Sequence, residues 1–381
     1  MSIDRKLLAI KLVKYREQFK VSFQQLATST GISHERLLAF ERREEVPDGD
    51  EILILADFYK CDFRFFISNE KTAAFEQTEY LFRMYGNELS IQDRWSIQET
   101  LYLAECEAFL INEIGREKQK EFSFVKEGNY FKGHGEQAAI ELRRRLGYSP
   151  IQVPVDIYSD FRSIGIHIFR RRLENSNISG ICIKHPVAGK CVLVNFSEDV
   201  FRQRFTVAHE VGHSILDDDQ DVVVSYVKWD SKNLSEIRAN TFASCFLLPA
   251  EFLKQIPQPY SWNQAKALKW AEKLRVSTMA LANSLTSLKL IDSAAERLIK
   301  SVSVPFHLKH DPELPPNLTL KARERKEKLI ECGLSDQYVR LCLDAYRNNI
   351  ISSSRMTEML LIDEPELLDI INLFGERIQY G

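Results

Sequence analysis

The chain has 381 residues, a formal net charge of −3, and 44% apolar against 28% charged residues. This length predicts two or three domains, and the balance is typical of a soluble globular protein rather than a disordered one. Its small net charge gives no globally basic footprint for nucleic acid. Seven cysteines without a Cys-x-x-Cys spacing argue against a disulfide framework and predict a reducing, cytoplasmic location. Long apolar runs are missing, so we expect neither a membrane span nor a signal peptide.

Residues 4–69 are predicted to form a series of short helices. Ser22 and Ser33 are each placed to cap a helix, and Gly31 with Ile32 completes a tight turn before Ser33. A helix, a tight turn with glycine and a second helix form the helix-turn-helix pattern. We therefore predict a helix-turn-helix domain over residues 1–70.

The rest of the chain divides into three further segments. Residues 71–133 are predicted to be a helical spacer or dimerisation segment followed by a polar linker. Residues 134–300 combine helices with a small sheet, whose strands are predicted near 165–170, 178–184 and 190–195, the last two as a hairpin. Residues 301–381 are a connector at Val302–Pro316 and then a helical appendage, more simply a packing or regulatory subdomain than a second DNA-binding unit. The predicted fold class is α+β and mainly helical.

The sequence His209-Glu210-Val211-Gly212-His213 is predicted to bind zinc. Residues four apart share one face of a helix, so both histidines can hold a single ion through imidazole nitrogens. Glu210 then lies beside the metal, where it can take a proton from the attacking water and pass it to the leaving amine. The competing interpretation is a surface helix with two solvated histidines. The apolar neighbours of the motif and the glycine within it argue against that interpretation.

A third protein ligand must come from elsewhere in the chain, because two histidines leave a catalytic zinc ion incompletely coordinated. Glu236, at the start of a helix predicted over Leu234–Leu248, is the first candidate. Its spacing from Asn233 also fits a capping box, in which Glu236 would close the helix N-terminus. The alternative ligands are the acidic residues directly after the motif: Asp217, Asp218 and Asp219.

Two blocks of this chain resemble the ImmA/IrrE zinc metallopeptidases. The run from Arg202 to His213 (RQRFTVAHEVGH) is similar to that family's signature, and Glu236–Pro249 (EIRANTFASCFLLP) is similar to its second block. The resemblance covers about residues 135–290 and implies a zincin-like peptidase fold, a Zn²⁺ cofactor and Glu236 as the third ligand. Cys245 departs from the family pattern, since an acidic residue is usual at that position.

Peptide hydrolysis also needs a cation or hydrogen-bond donor beside the developing oxyanion. Four residues are candidates for this role, and each also has a purely structural interpretation: Arg202, Arg204, His185 and Tyr226.

The N-terminal segment resembles the Xre (Cro/repressor-type) helix-turn-helix, through Leu26-Ala27, Gly31-Ile32-Ser33, Phe40-Glu41 and Pro47. This resemblance implies that the second helix of the pair enters the major groove. The implied DNA contacts are Ser33, His34, Glu35 and Leu38 at base edges and Arg36, Arg42 and Arg43 at phosphates. Residues 1–70 hold 11 basic and 12 acidic residues, so a protein-interaction or dimerisation role is the alternative.

Together these features predict a cytoplasmic regulatory zinc metalloendopeptidase that cleaves a specific protein such as a repressor. Its helix-turn-helix would bind DNA or a partner, with a homodimer as the expected assembly. One alternative is a DNA-binding transcriptional regulator or antitoxin whose peptidase domain is a sensor or scaffold, because a fold does not guarantee activity. A further alternative is an interaction protein that binds neither DNA nor a scissile peptide.

Overall fold

The computed structural model describes residues 3–61, 63–69, 81–82, 89–115, 121–217, 220–226, 233–258 and 261–376. Within these residues the fold is mainly helical with one four-stranded sheet, so the predicted α+β class is confirmed. Asp218, Asp219 and much of the predicted spacer lie outside the described residues. No helix in the described part combines the length and apolarity that crossing a membrane requires.

Five helices make up what we call the head: α1 (Arg5–Gln18), α2 (Phe23–Thr30), α3 (His34–Arg42), α4 (Gly49–Phe58) and α5 (Phe63–Ile67). Ser22 caps α2 in a reciprocal pair with Gln25, and the Ser33 hydroxyl accepts from the backbone N–H of Arg36 at the start of α3. Between these helices Gly31 has φ +73°, a left-handed conformation that favours glycine. The predicted turn and both caps are therefore present.

The helix that follows, α6 (Ile91–Glu113), is buried against both the head and the rest of the chain. Trp95 stacks on Phe19 of the head with ring centroids 4.3 Å apart. The buried Asp93 carboxylate accepts the backbone N–H of Glu174 at 2.7 Å. Further along α6, apolar residues enter the C-terminal core. This helix therefore connects three parts of the fold by packing, whereas the sequence predicted a spacer here.

The sheet contains β1 (His167–Arg171), β2 (Ile178–His185), β3 (Gly189–Asn195) and β4 (Val222–Tyr226), in the order β1-β3-β2-β4. Strand β1 runs parallel to β3, and the other two pairings are antiparallel. The first three strands and the β2–β3 hairpin were predicted, and the structure confirms them. Strand β4 was missed because it has only five residues and follows an aspartate-rich stretch that resembles a solvated helix end.

The helices on one side of this sheet share a single apolar core with it. They are α7 (Phe131–Arg145), α8 (Ile157–Arg162), α9 (Val200–Leu216), α10 (Leu234–Leu247), α11 (Ala250–Leu253), α12 (Gln264–Leu274), α13 (Thr278–Ser287) and α14 (Ser293–Lys300). Val192 and Val194 of the sheet share an apolar core with Val207 and Val211 of α9. The opposite face, with residues such as Ile181 and Val224, shares a core with the head. The sheet is thus enclosed on both sides, with α9 held directly against it.

Glycines set how closely α10 packs between its two neighbouring helices. A Cβ at Gly135 of α7 would lie 2.3 Å from the carbonyl oxygen of Arg238 on α10. A Cβ at Gly212 of α9 would lie 3.2 Å from the Cα of Ala239 on the same helix. Because both glycines lack a side chain, α10 packs closely against α7 and α9, and Glu236 of α10 lies within reach of the histidines of α9.

We expect Gly135→Ala to lower the free energy of unfolding by about 2–3 kcal/mol, because the new methyl group would force two helix backbones apart. Urea denaturation measures this loss. Gly49→Ala is the matched control, since no atom lies within 4 Å of its added Cβ and it opens a helix. Equal stability of the two variants would contradict the close packing of α7 on α10.

The C-terminal part contains a short 3₁₀ helix at Phe306–Leu308 and then α15 (Leu320–Glu331), α16 (Asp336–Arg347), α17 (Ser353–Leu360) and α18 (Glu364–Leu373). These helices pack on α6 and on the outer strand β1, in the part of the chain where the sequence predicted a helical appendage. The Val302–Pro316 segment is anchored rather than a loose connector. Its buried Asp311 and Glu313 form ion pairs with Arg170 of β1, and Glu313 also pairs with Arg162 of α8.

Candidate metal centre

Helix α9 presents both histidines of the motif on one face. It begins where the Asp199 side chain accepts the backbone N–H of Phe201. His209 and His213 follow one turn apart, and their Nε2 atoms lie 3.1 Å from each other. Both side chains are buried, in agreement with the apolar neighbours of the motif. The competing interpretation of two solvated histidines does not match this burial.

Glu236 of α10 lies opposite the two histidines. Its Oε2 is 3.3 Å from Nε2 of His209, and its Oε1 is 3.2 Å from Nε2 of His213. The helix cap comes from Asn233, whose side chain accepts the backbone N–H of Ser235. Glu236 is therefore directed at the histidines and not at its own helix N-terminus, as the capping alternative required.

These three side chains fit a tetrahedral zinc ion. Ligand atoms about 2.0–2.1 Å from such an ion are separated from one another by about 3.3–3.4 Å. The two histidine nitrogens are 3.1 Å apart, and each lies 3.2 or 3.3 Å from a different oxygen of Glu236. One ligand atom from each of the three residues lies within 4.8 Å of the other two. Among the described residues these three form the one group of histidine, cysteine or acidic side chains that can surround a metal ion. Two histidines and one carboxylate also leave a fourth position open, which is typical of catalytic zinc sites.

The local electrostatics favour the protonation states that metal ligands require. Burial lowers the pKa of His209, which keeps its imidazole neutral. Burial alone would raise the pKa of Glu236, but hydrogen bonds from His209 and His213 outweigh it and hold that pKa well below its usual range. The set therefore combines neutral imidazole with an ionised carboxylate.

Glu210 is fully buried next to this set. Neither carboxylate oxygen accepts a hydrogen bond of ordinary length among the described residues, which is uncommon for a buried acid, and the Ser225 hydroxyl of β4 is a polar group beside it. Burial raises the pKa of Glu210 to about 8, and a nearby dication would favour its ionised form. An unpartnered carboxylate beside a metal site has the placement of a general base.

Behind His213 lies a second carboxylate that the sequence placed among the candidate ligands. Asp217 Oδ2 is 2.6 Å from Nδ1 of His213, and Asp217 also forms an ion pair with Arg238 of α10. It therefore orients a ligand instead of serving as one. The His-x-x-x-Asp spacing on a helix was the available signal for this contact, whereas nothing in the sequence indicated Arg238.

We expect Asp217→Asn to weaken zinc binding by about 10- to 100-fold, because the carboxylate fixes the tautomer and the ring orientation of His213. Competition with a chromophoric chelator measures the dissociation constant. Asp221→Asn, at an exposed position a few residues on, is the control and should bind zinc as the wild type does. An unchanged constant in Asp217→Asn would rule out this role.

Two of the four oxyanion candidates are arginines on α9. Arg202 lies two turns before His209 on the same helix face, and its partly exposed side chain reaches the Ser179 hydroxyl at 3.4 Å. Arg204 is fully buried and donates to the main-chain carbonyls of Pro154, Val155 and Arg275. These hydrogen bonds join α9 to neighbouring loops and occupy the guanidinium of Arg204. The prediction of Arg204 as an oxyanion donor is therefore corrected.

The other two candidates lie on the sheet. His185 ends β2 at the hairpin, where its Nδ1 accepts the N–H groups of Val187 and Ala188 and its Nε2 is 3.1 Å from Glu105. About five strand residues separate it from the strand position that contacts Glu210, so it cannot reach the oxyanion. Tyr226 belongs to the apolar cluster on the sheet face opposite α9. Of the four, Arg202 alone lies on the face of the metal centre.

The proposed DNA contacts all lie on or beside α3. Ser33, His34, Glu35, Arg42 and Arg43 are exposed, and Leu38 is half-buried. Arg36 forms ion pairs with Glu45 and Glu51, which reduces its availability to a phosphate. The Ser33 hydroxyl serves as the helix cap.

The arrangement of the metal centre is typical of metallopeptidase sites. It combines two histidines of an HExxH helix, a glutamate from a second helix and the buried acid Glu210 beside them. Residues 161–286 match the family model Peptidase_M78, described as the IrrE N-terminal-like domain. The match extends from just before β1 to the end of α13 and includes all four of these residues. It supports a peptidase domain of the ImmA/IrrE type in this part of the chain. No match was found among the curated proteins.

Proposed function

We propose that this protein is a regulatory zinc metalloendopeptidase that cleaves a specific protein, such as a repressor. The observation that carries the proposal is the spacing of His209, His213 and Glu236 at zinc-ligand distances, with the unpartnered carboxylate of Glu210 beside them. The family match over residues 161–286 supports the peptidase part.

In this proposal His209, His213 and Glu236 hold the zinc ion, which when bound acidifies water and polarises the peptide carbonyl. Glu210 takes the proton from the attacking water and delivers it to the leaving amine. Burial of Glu210 keeps bulk water from its oxygens, so the proton it receives stays available for that second transfer. Arg202, on the same face of α9, is the remaining oxyanion candidate of the original four.

A regulatory role is supported by how the head is attached. The head shares one apolar core with the sheet face opposite α9, through residues such as Ile97 and Leu101 of α6. A ligand that binds the head therefore acts on the same packed unit that supports the metal centre. DNA or a partner protein at α3 is the proposed ligand, with two heads on two half-sites in a homodimer.

The test is a comparison of cells that carry the wild type with cells that carry Glu210→Gln. Mass spectrometry of protein N-termini should show a small set of new termini that only the wild type produces. A broad set of termini would indicate a digestive enzyme, and identical sets would remove the peptidase proposal.

The second candidate is a DNA-binding regulator whose peptidase domain acts as a sensor or scaffold. The observation that favours it is the same continuous core between head and sheet. For this candidate we expect sequence-specific DNA binding, with the same affinity in the wild type, in Glu210→Gln and in His209→Ala. A salt titration on random duplex separates this candidate from a protein that binds no DNA, since any phosphate contact strengthens at low salt.

A further inference from the structure

We infer that Glu198 is a positioning residue for Glu210 and acts through a bulge in β2. This inference rests on the proposed function, in which Glu210 is the general base. A general base must keep one orientation toward the attacking water. Since its carboxylate accepts no hydrogen bond of ordinary length, Glu210 is oriented by the atoms packed around it, which include the Ser225 hydroxyl of β4.

A bulge in β2 lies against α9 at this point. The pairing of β2 with β4 shifts register between Ile178 and Gly180, so Ser179 is the extra residue. Bulges redirect the strand locally and are frequent next to active sites. Here the redirected residue is Gly180, where an added Cβ would lie 2.8 Å from Oε1 of Glu210.

The backbone of Gly180 and the side chain of Thr206 together form the wall against Glu210. A Cβ at Gly180 would also lie 2.8 Å from Cγ2 of Thr206, so strand and helix are in direct contact there. A shift of this wall would open space for other Glu210 rotamers, because Glu210 accepts no hydrogen bond of ordinary length and the nearby Ser225 lies on β4 opposite Gly180 and would shift with it.

Glu198 holds both halves of the wall. Its Oε1 accepts the Ser179 hydroxyl at 2.7 Å, and its Oε2 accepts the Thr206 hydroxyl at 3.1 Å. One carboxylate therefore links the bulge to α9, one turn before Glu210. The side chain of Glu198 is only 10% exposed, so water competes little for these bonds.

A simpler role for Glu198 would be an ion pair with Arg202. That contact is longer, at 3.5 Å, and the Arg202 side chain is 40% exposed. Exposed pairs of this kind contribute little. The two hydroxyl contacts are shorter and part-buried, and they are the ones that reach the wall.

Three variants test the inference, assayed with one fluorogenic peptide chosen from a mixed peptide library. Glu198→Ala should lower kcat by about 10- to 100-fold, the effect of misplacing a catalytic group by about 1 Å, with KM and zinc content unchanged. Glu198→Gln keeps a side chain that can bond both hydroxyls and should restore kcat to within about threefold of wild type. Arg143→Leu, which removes buried bonds to Phe246 and Gln152 carbonyls at the far end of α7, should keep the wild-type kcat.

Crystal structures of metal-free wild type and Glu198→Ala give a readout that needs no activity. We expect one Glu210 rotamer in the wild type and more than one, with a displaced Gly180, in the variant. A single unchanged rotamer, or a Glu198→Gln defect equal to that of Glu198→Ala, would overturn the inference. If wild type and Glu210→Gln are both inactive on every peptide, the proposed function fails, and the crystal structures still decide the positioning role.

Discussion

Glu210→Gln is expected to retain about one zinc ion per chain and to lower kcat by about a thousandfold or more. Glutamine has the size of glutamate but cannot accept a proton at neutral pH. Glu210 is not one of the three side chains at zinc-ligand spacing, so removal of its charge should leave the metal bound. The variant thus separates metal binding from catalysis within one buried site.

The measurement combines zinc analysis with cleavage of the peptide selected above. Glu251→Gln is the matched control, because Glu251 is exposed and pairs with Lys254 at the surface. It should match the wild type in both readouts. Cleavage by Glu210→Gln at more than about a tenth of the wild-type rate would show that Glu210 is not the base.

Asp311→Ala is expected to lower the free energy of unfolding by about 3–5 kcal/mol, the cost of leaving a buried charge without its partner. The Arg170 side chain is fully buried, and Asp311 accepts from it at 2.6 and 3.2 Å. Glu313 also contacts Arg170 at 2.6 Å but is shared with Arg162, so it cannot replace both lost bonds. The Val302–Pro316 segment, which the sequence predicted to be a connector, would then contribute several kcal/mol to the free energy of unfolding through one side chain.

Urea denaturation followed by circular dichroism measures this loss. Glu251→Ala removes an exposed ion pair and should change the free energy of unfolding by less than about 1 kcal/mol. Asp311→Ala should also release the 302–316 segment to proteolysis, because the side chain anchors it to β1. A loss below about 1 kcal/mol would contradict the role of Asp311 as a buried partner of Arg170.

The parts of the site that the sequence could predict depend on local geometry. Helical spacing alone places His209 and His213 on one face, and it places Glu210 beside them. Glu236 lies 23 positions beyond His213 in the printed sequence, and two interpretations of it remained open until a family resemblance favoured one. Its distance to the histidines depends on the packing of two helices, which spacing along the chain does not encode.

The parts that the sequence could not predict depend on long-range packing. Asp217 could be weighed as a ligand, but its contact with Arg238 joins two helices. The contact between the backbone of Gly180 and Glu210 joins a strand to a helix, and it leaves no room for a Cβ at position 180. The burial of α6 likewise follows from the partners on each side of it, since its own sequence shows little amphipathic pattern.

The helix-turn-helix prediction was based on the residues of one turn between α2 and α3. A left-handed residue, an apolar residue and a capping residue join two helices at Gly31-Ile32-Ser33. The same arrangement recurs at Arg275-Val276-Ser277, Gly333-Leu334-Ser335 and Leu361-Ile362-Asp363. This turn is therefore a general corner between helices in this fold. DNA binding by the head stays a prediction that rests on the Xre resemblance.

The central claim is that His209, His213 and Glu236 form a zinc site, and metal analysis of purified protein tests it most directly. Wild type dialysed against trace zinc should hold about one zinc ion per chain, and His209→Ala should hold less than about a tenth of that amount. Circular dichroism of both proteins checks that the fold is retained. A wild type without zinc, or a His209→Ala variant with as much zinc as the wild type, would contradict the claim.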